Sequence, residues 1–216
     1  MPFYYMGGKM IKIKVCMPNT GMIHTHTVAS LLRLSKEPYQ FSYNMVISSC
    51  IAQNRNDCVQ DALDDDVDYI LWVDSDMTFN PDDLKQLLAD DKDIVTGLYF
   101  TRKQPVEPVI YSIVDDGEYY ASIKDYYKNT MFKVGGCGSG FVLVKTDVYR
   151  KIKKDWYSII GNIGEDLSFC KRALENGYDI WCDTTVKLGH VGTHIYTESD
   201  FSEWNQWIKT NGVRLL

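Results

Sequence analysis

The sequence predicts an α/β domain with a mostly parallel central sheet flanked by helices and a small antiparallel hairpin in its second half. From residue 10 to residue 99, strand-like and helix-like segments alternate, starting and ending on a strand, the order that right-handed crossovers turn into parallel sheet. Residues 69–73, Tyr-Ile-Leu-Trp-Val, are continuously apolar with a β-branched and aromatic bias, as in a strand buried on both faces. Apolar runs at 109–114 and 119–123 flank Asp116-Gly117, a hairpin turn signal.

Residues 10–17 alternate lysine with Ile and Val and break at Pro18, Asn19, Thr20 and Gly21, so a first strand opens into a loop. Val28, Leu31 and Leu32 have helical spacing, and Phe41, Tyr43, Met45 and Ile47 alternate with polar residues as a second strand. A helix over about 50–63 carries Arg55 and Asn56 near its start, and an acidic turn at 64–66 leads into the strand 69–73. Asn80, Pro81, Asp82 and Asp83 then read as an N-cap, a proline at the first helical position and a negative first turn. Leu84, Leu87 and Leu88 mark that helix, and 94–99 reads as the next strand. Past Pro105 the glycines 135, 136, 138 and 140 run into a strand at 141–144. Gly164-Glu165-Asp166 opens an amphipathic helix with Leu167, Cys170 and Leu174 on one side and Gly177 as its stop. Short strands at 180–182 and 186–188 follow, and Phe201, Trp204, Trp207 and Ile208 mark a last helix. With no repeat, linker or low-complexity tract, the chain reads as one domain.

A chain of 216 residues that is 45% apolar and 24% charged can bury a substantial core. The net charge of −6 argues against a protein that binds nucleic acid by broad phosphate neutralisation. No apolar run is long enough to span a membrane and no long apolar leader is present, which predicts a cytoplasmic protein. The six cysteines show no C-x-x-C pair and no zinc spacing, consistent with free thiols in a reducing compartment. Fifteen tyrosines and five tryptophans suit carbohydrate or nucleotide sites, and equally an aromatic core.

The chemistry concentrates where the strand 69–73 ends in Asp74-Ser75-Asp76, because ligands of α/β sheets bind at the carboxyl ends of strands. A calcium loop is excluded, since Phe79 and Lys85 stand where glycine and glutamate are required. What remains is a solvated acidic turn or a magnesium or manganese site for a phosphorylated ligand. The glycine segment precedes a strand and lacks a following Lys-Ser/Thr, so it is not a P-loop; it is a flexible connection or a place of close backbone approach. Glu165 and Asp166 either complement the helix dipole or include a general base. His190 is a loop residue or a metal ligand beside Asp76, with His194 its competitor. His24 and His26 belong to the surface or the substrate side. Arg55 is a solvated helix residue or a contact to a diphosphate or base.

Val73-Asp74-Ser75-Asp76, the glycines leading into Gly140-Phe141-Val142-Leu143-Val144, Gly164-Glu165-Asp166 and Leu188-Gly189-His190 resemble, in order and spacing, the nucleotide-sugar glycosyltransferases of GT-A fold and family-two type. Cys16-Met17-Pro18-Asn19-Thr20 and Asn54-Arg55-Asn56 look like that family's nucleotide contacts, and the likeness covers about residues 10–195. The resemblance implies a nucleotide-binding half over 10–104, an acceptor and catalytic half over 105–195 and a C-terminal helix over 196–216. It implies Mn2+ or Mg2+ at Asp76 and His190 with Asp74 alongside. A nucleotide-diphosphate sugar, UDP-sugar favoured, would meet Pro18, Asn19, Thr20, Arg55, Asp74, Ser75, Asp76 and Gly140. Asp166, with Glu165 as the fallback, would deprotonate a hydroxyl acceptor and give inversion. The residues that read the acceptor are left unassigned. Two other readings stand beside it: a nucleotidyltransferase of similar fold, against which residues 18–23 lack any arginine or lysine, and a non-catalytic sugar-nucleotide or glycan module, which would need no base at Asp166.

Overall fold

A computed structural model describes residues 5–6, 9–114, 119–192 and 195–211. A short pair, β1 (Tyr5–Met6) and β2 (Lys9–Met10), precedes β3 (Lys12–Cys16). Then come α1 (Thr25–Leu34), β4 (Gln40–Asn44), α2 (Ile51–Asp64), β5 (Tyr69–Val73), β6 (Met77–Thr78), α3 (Pro81–Ala89) and β7 (Ile94–Leu98). The second half holds β8 (Ile110–Val114), β9 (Tyr119–Ser122), β10 (Met131–Val134), β11 (Gly136–Cys137), β12 (Phe141–Lys145), α4 (Thr146–Lys151) and α5 (Glu165–Glu175). It ends with β13 (Ile180–Lys187), β14 (Gly189–Val191), β15 (Ile195–Tyr196) and α6 (Glu198–Asn211).

The main sheet has seven strands in the order β10-β13-β7-β12-β5-β3-β4. β3 is parallel to β4 and β5, and β13 is parallel to β7. β12 is antiparallel to both β5 and β7, and β10 is antiparallel to β13. The sheet is therefore mixed, which corrects the expectation of a mostly parallel one. The strands of the first half do share one direction, but β12 slides between β5 and β7 and separates them. Its Phe-Val-Leu-Val run is as apolar as its parallel neighbours, because both its faces are covered, so composition does not betray its direction.

Alternation along each strand feeds two cores, one per face of the sheet. Ile70 and Trp72 of β5, with Val142 and Val144 of β12, pack with residues of α2, α4, α5 and α6, including Cys58, Tyr149, Phe169 and Phe201. Tyr69, Leu71 and Val73, with Phe141 and Leu143, pack with Leu31 and Leu34 of α1 and Leu84, Leu87 and Leu88 of α3. The α3 start follows the predicted signal: Asn80 and Asp83 form a capping box with Pro81 inside the first turn.

Other expectations shift locally. On α1 the buried face is Thr27, Ser30, Leu31 and Leu34, so Val28 and Leu32 face solvent. The second strand stops at Asn44 on a sheet edge, leaving Met45 and Ile47 exposed. The two short strands at 180–182 and 186–188 are one strand, β13, with a register shift between Asp183 and Lys187. The expected hairpin forms between β8 and β9, β11 pairs with β8 as a third strand, and the Asp116-Gly117 turn lies outside the described residues. Phe201 of α6 is buried, whereas the side chains of Trp204, Trp207 and Ile208 lie outside the described residues. All six cysteines are free, five of them buried and Cys50 exposed. Among the described residues no helix is long and apolar enough to cross a membrane.

Candidate active site

β5 carries the acidic loop to the carboxyl edge of the sheet, and neighbouring elements pin its backbone. The Asp74 N–H donates to the Gly140 carbonyl at 3.0 Å, and the Met77 N–H closes a turn onto the Asp74 carbonyl at 3.2 Å. The Ser75 carbonyl accepts from the His24 N–H at 2.8 Å and from the Thr27 hydroxyl at 3.1 Å, so the start of α1 holds the middle of the loop. β6 then pairs antiparallel with β14, setting His190 opposite Met77, and the Val191 N–H donates to the Asp76 carbonyl at 2.8 Å. Gly189 is required for this pairing, because a Cβ there would run into the Thr78 hydroxyl.

That register brings the predicted cation ligands together. His190 Nδ1 lies 2.7 Å from the Phe100 carbonyl oxygen, which can only accept, so Nδ1 donates there and Nε2 is the ring nitrogen that faces Asp76. Nε2 is 3.5 Å from Asp76 Oδ1, a separation that one ion with ligand bonds of about 2.0–2.2 Å spans. Arg102 lies on the other oxygen, with Nη1 2.5 Å from Asp76 Oδ2, and also donates to the Val191 carbonyl. Burial pushes the Asp76 carboxyl up, but His190 and Arg102 outweigh it and hold the group below its ordinary range. Asp76 and His190 would supply two side-chain ligands to a divalent cation, leaving its other positions open. Asp74 is engaged elsewhere, and among the described residues no group of three or more His, Cys, Asp or Glu side chains is arranged to hold a metal ion. His194 lies outside the described residues.

The second half of the site forms around Arg55, which is only 3% exposed. Alternation on β5 puts Trp72 and Asp74 on one face, and α2 lays Arg55 across both. Its guanidinium carbon is 5.2 Å from the Trp72 ring centre and 5.7 Å from that of Tyr157. Nη2 donates to Asp74 Oδ1 at 3.1 Å and Nε to Glu165 Oε1 at 3.4 Å, while Nη1 is buried without a hydrogen-bond partner. Gly164 caps α5, and Glu165 and Asp166 occupy its first turn. Asp166 Oδ2 accepts from the Ser139 N–H at 3.3 Å, which ties the helix to the glycine segment. Burial, pulled back by Arg55 but reinforced by Glu165 and Asp74, pushes the Asp166 carboxyl up to about 6. A carboxyl at that level is a competent general base near neutral pH.

Tyr99, at the end of β7, joins the halves. Its hydroxyl accepts from the Gly140 N–H at 3.0 Å, and its ring meets His190 edge-on at 5.6 Å. A Cβ on Gly138 or Gly140 would collide with the Tyr99 hydroxyl end, so the glycines allow close approach of this ring. Burial, then Asp74 and Asp166, hold the Tyr99 phenol well above its ordinary value, so it stays protonated.

Of the residues singled out from sequence, Arg55, Asp74, Ser75, Asp76, Gly140, Glu165, Asp166 and His190 join one network. Pro18 and Asn19 are buried and Thr20 is exposed in the loop leading to His24, where Asn19 bridges to Ile47 beside β4. His24 and His26 are exposed and their rings stack. Sequence reasoning missed Tyr99, Arg102 and Tyr157. For the first two the available signal was their place just beyond β7, on the same sheet edge as the acidic loop. Tyr99, Arg102, Lys103, His190 and Asp74 line a cleft of about 550 Å³.

No protein-family model matches the chain, and no curated protein matches its sequence. Among solved structures, A197 from STIV is similar over 85% of this chain and 86% of that one, with a TM-score of 0.60 and 18% identity. GalNAc-T7 in a structure with UDP, GalNAc and Mn2+ is similar over 94% of this chain, with a TM-score of 0.55 and 8% identity. The alignment spans 48% of that chain, about half its length. The fold is thus a GT-A-like mixed α/β fold, and at these identities the likeness extends to the fold alone.

Proposed function

We propose that the protein is a metal-dependent glycosyltransferase that moves a sugar from a nucleotide-diphosphate sugar to an acceptor hydroxyl with inversion. The observation that carries this reading is the meeting, at one sheet edge, of the Asp76–His190 pair with a separate carboxyl, Asp166, raised to about 6. Asp76 and His190 would hold a Mn2+ or Mg2+ ion, which would supply positive charge against the diphosphate leaving group. Arg102 and Lys103 line the same cleft and suit the phosphate oxygens, Arg102 exchanging its carboxylate partner for a phosphate. Asp166 takes the proton of the acceptor hydroxyl as its oxygen bonds to the anomeric carbon. The bond from that carbon to the diphosphate oxygen breaks, the nucleoside diphosphate leaves with the electron pair, and the proton passes from Asp166 to solvent. Glu165 is gripped by Arg55, which favours Asp166 as the base.

A UDP-sugar is the first donor to test, since GalNAc-T7 shares the fold and was solved with UDP. Pro18, Asn19, Thr20 and Ser75 form the loops that would border the nucleotide. The test is release of nucleotide from UDP-, GDP- and TDP-sugars with Mn2+ or Mg2+. Asp76→Ala and His190→Ala abolish turnover and metal-dependent thermal stabilisation, and Asp166→Asn lowers turnover at least ~100-fold while keeping the stabilisation. Neither turnover nor metal-dependent stabilisation with any donor would end the reading. Stabilisation without turnover, unchanged in Asp166→Asn, would replace it with a binding module.

A further inference from the structure

A second open groove, of about 580 Å³, lies beside the start of α5 and plays no part in the chemistry above. Its walls are Tyr119 and Tyr120 of β9 on one side, the loop from Ile160 to Gly164 on the other, and Leu167 and Lys171 of α5. We propose that this groove is the acceptor subsite and that the acceptor is an uncharged saccharide, an assignment that rests on the transferase reading.

The groove lies beside the helix start that carries the base. Gly164 lines it, and a Cβ on Gly164 would lie 3.5 Å from Asp166 Oδ1, so the carboxyl sits next to the groove without itself lining it. Tyr120 and Leu167 close over Gly136, where an added Cβ would meet both side chains at 3.0 and 2.8 Å. The wall is thus built onto the glycine segment that also hands the Ser139 N–H to Asp166. A bound hydroxyl compound would lie against the same backbone that orients the base.

The chemistry of the walls names the class. A sugar ring presents an apolar C–H face and a rim of hydroxyls, and it is held by an aromatic face with polar groups around it. Tyr119 is 60% exposed and Tyr120 half-buried, so both rings offer surface to the groove, while Asn162 and the loop backbone supply donors and acceptors. The contrast with the first cleft divides two substrates by charge. Arg102 and Lys103 suit a diphosphate there, whereas Lys171 is the one charged side chain lining this groove among the described residues. Glu165 and Asp166, in the first turn of the same helix, disfavour an anionic acceptor.

The test is saturation-transfer NMR on the full chain with methyl glycosides of glucose, galactose, mannose and N-acetylglucosamine. Samples contain Mn2+ and UDP, and the same samples are melted with and without these additions. At least one glycoside is expected to show ring-proton saturation that falls fivefold or more in Tyr119→Ala and in Tyr120→Ala and returns in the Phe variants, which keep the ring. Tyr120→Ala removes packing on Gly136; Tyr119→Ala removes only an exposed ring and decides the matter if the other fails to fold. No saturation while UDP and Mn2+ stabilise the protein overturns the groove and leaves the transferase standing. Saturation of a Ser/Thr peptide in place of the glycosides overturns the saccharide class. Tyrosine-dependent glycoside binding with neither turnover nor metal-dependent stabilisation by any UDP-, GDP- or TDP-sugar overturns the transferase and the acceptor assignment with it, leaving the groove a glycan site.

Discussion

Replacing Arg55 with methionine tests the electrostatic logic of the site, because Met keeps an apolar stem against Trp72 and Tyr157 while deleting the charge. Arg55 is buried and serves Asp74 and Glu165 directly, with Asp166 in its field. Removing one partner of a buried ion pair costs about 3–5 kcal/mol, and the lower end applies because the Asp74 side chain is 35% exposed. At about 2–4 °C per kcal/mol for a chain of this size, the melting temperature at pH 8 falls by roughly 6–12 °C. The loss depends on pH. The Asp166 carboxyl stands at about 6 in the fold against about 3.9 when unfolded, so the folded state binds its proton more tightly. That contribution is fully present below about pH 4 and is lost as pH rises through about 6, some 3 kcal/mol in all. Without Arg55, which pulls Asp166 down, the carboxyl rises further and the window moves upward. At pH 5 the Asp166 carboxyl can take up a proton, so the variant's deficit shrinks. Thermal melts of chelator-treated wild type and Arg55→Met from pH 5 to pH 8 measure it. A deficit that is flat across this range, or larger at pH 5, refutes the account of three carboxylates sharing one cation.

Arg102→Ala frees Asp76 Oδ2 and is expected to raise Mn2+ affinity without nucleotide by roughly twofold to fivefold, the worth of a partly exposed ion pair, as read by Mn2+ paramagnetic resonance. Unchanged or weaker binding counts against Arg102 as the cation's competitor. Gly138→Ala drives a methyl group into Tyr99 and Val109 and should cost about 1–3 kcal/mol by thermal melt; Tyr99→Phe in the same chain should recover part of it, and no recovery would move the clash elsewhere. Thiol titration of the native protein should show one fast cysteine, Cys50, with the rest reacting only after denaturation. Two or more fast thiols would contradict the buried positions of the others.

Features that local chemistry dictates were legible in the sequence. The apolar run of β5, the Asn80–Asp83 cap and the helix opening at Gly164 read correctly because their determinants lie within a few residues, whereas His190, read as a loop residue or a metal ligand, stands in a strand, β14, that pairs with distant β6. Features set by partners far along the chain were not. The direction of β12 depends on sliding between β5 and β7, and its burial on both faces erases the alternation that would separate it from a parallel strand. The glycine segment offered flexibility or close approach, and the choice is settled by Tyr99, which no spacing around residue 138 reveals. Arg102 meets Asp76 only because β7 and β5 end on the same edge.

The Asp-Ser-Asp motif shows how a local signal can be right in place and incomplete in meaning. Spaced by one residue, two aspartates on a continuing strand would share a face and suggest a joint grip on one cation. The strand does not continue: the turn closed by the Met77 N–H on the Asp74 carbonyl sends the two side chains to different partners. Asp74 keeps the face of Trp72 and answers Arg55, while Asp76 turns toward His190 and Arg102. The motif therefore joins two electrostatic units. One sets Asp76 against the positive groups His190 and Arg102, and in the other burial, with Glu165 and Asp74 nearby, lifts Asp166 until it can hold a proton near neutrality. Tight coupling through three residues of backbone, pinned by Gly140 and His24, keeps the distance between these units fixed.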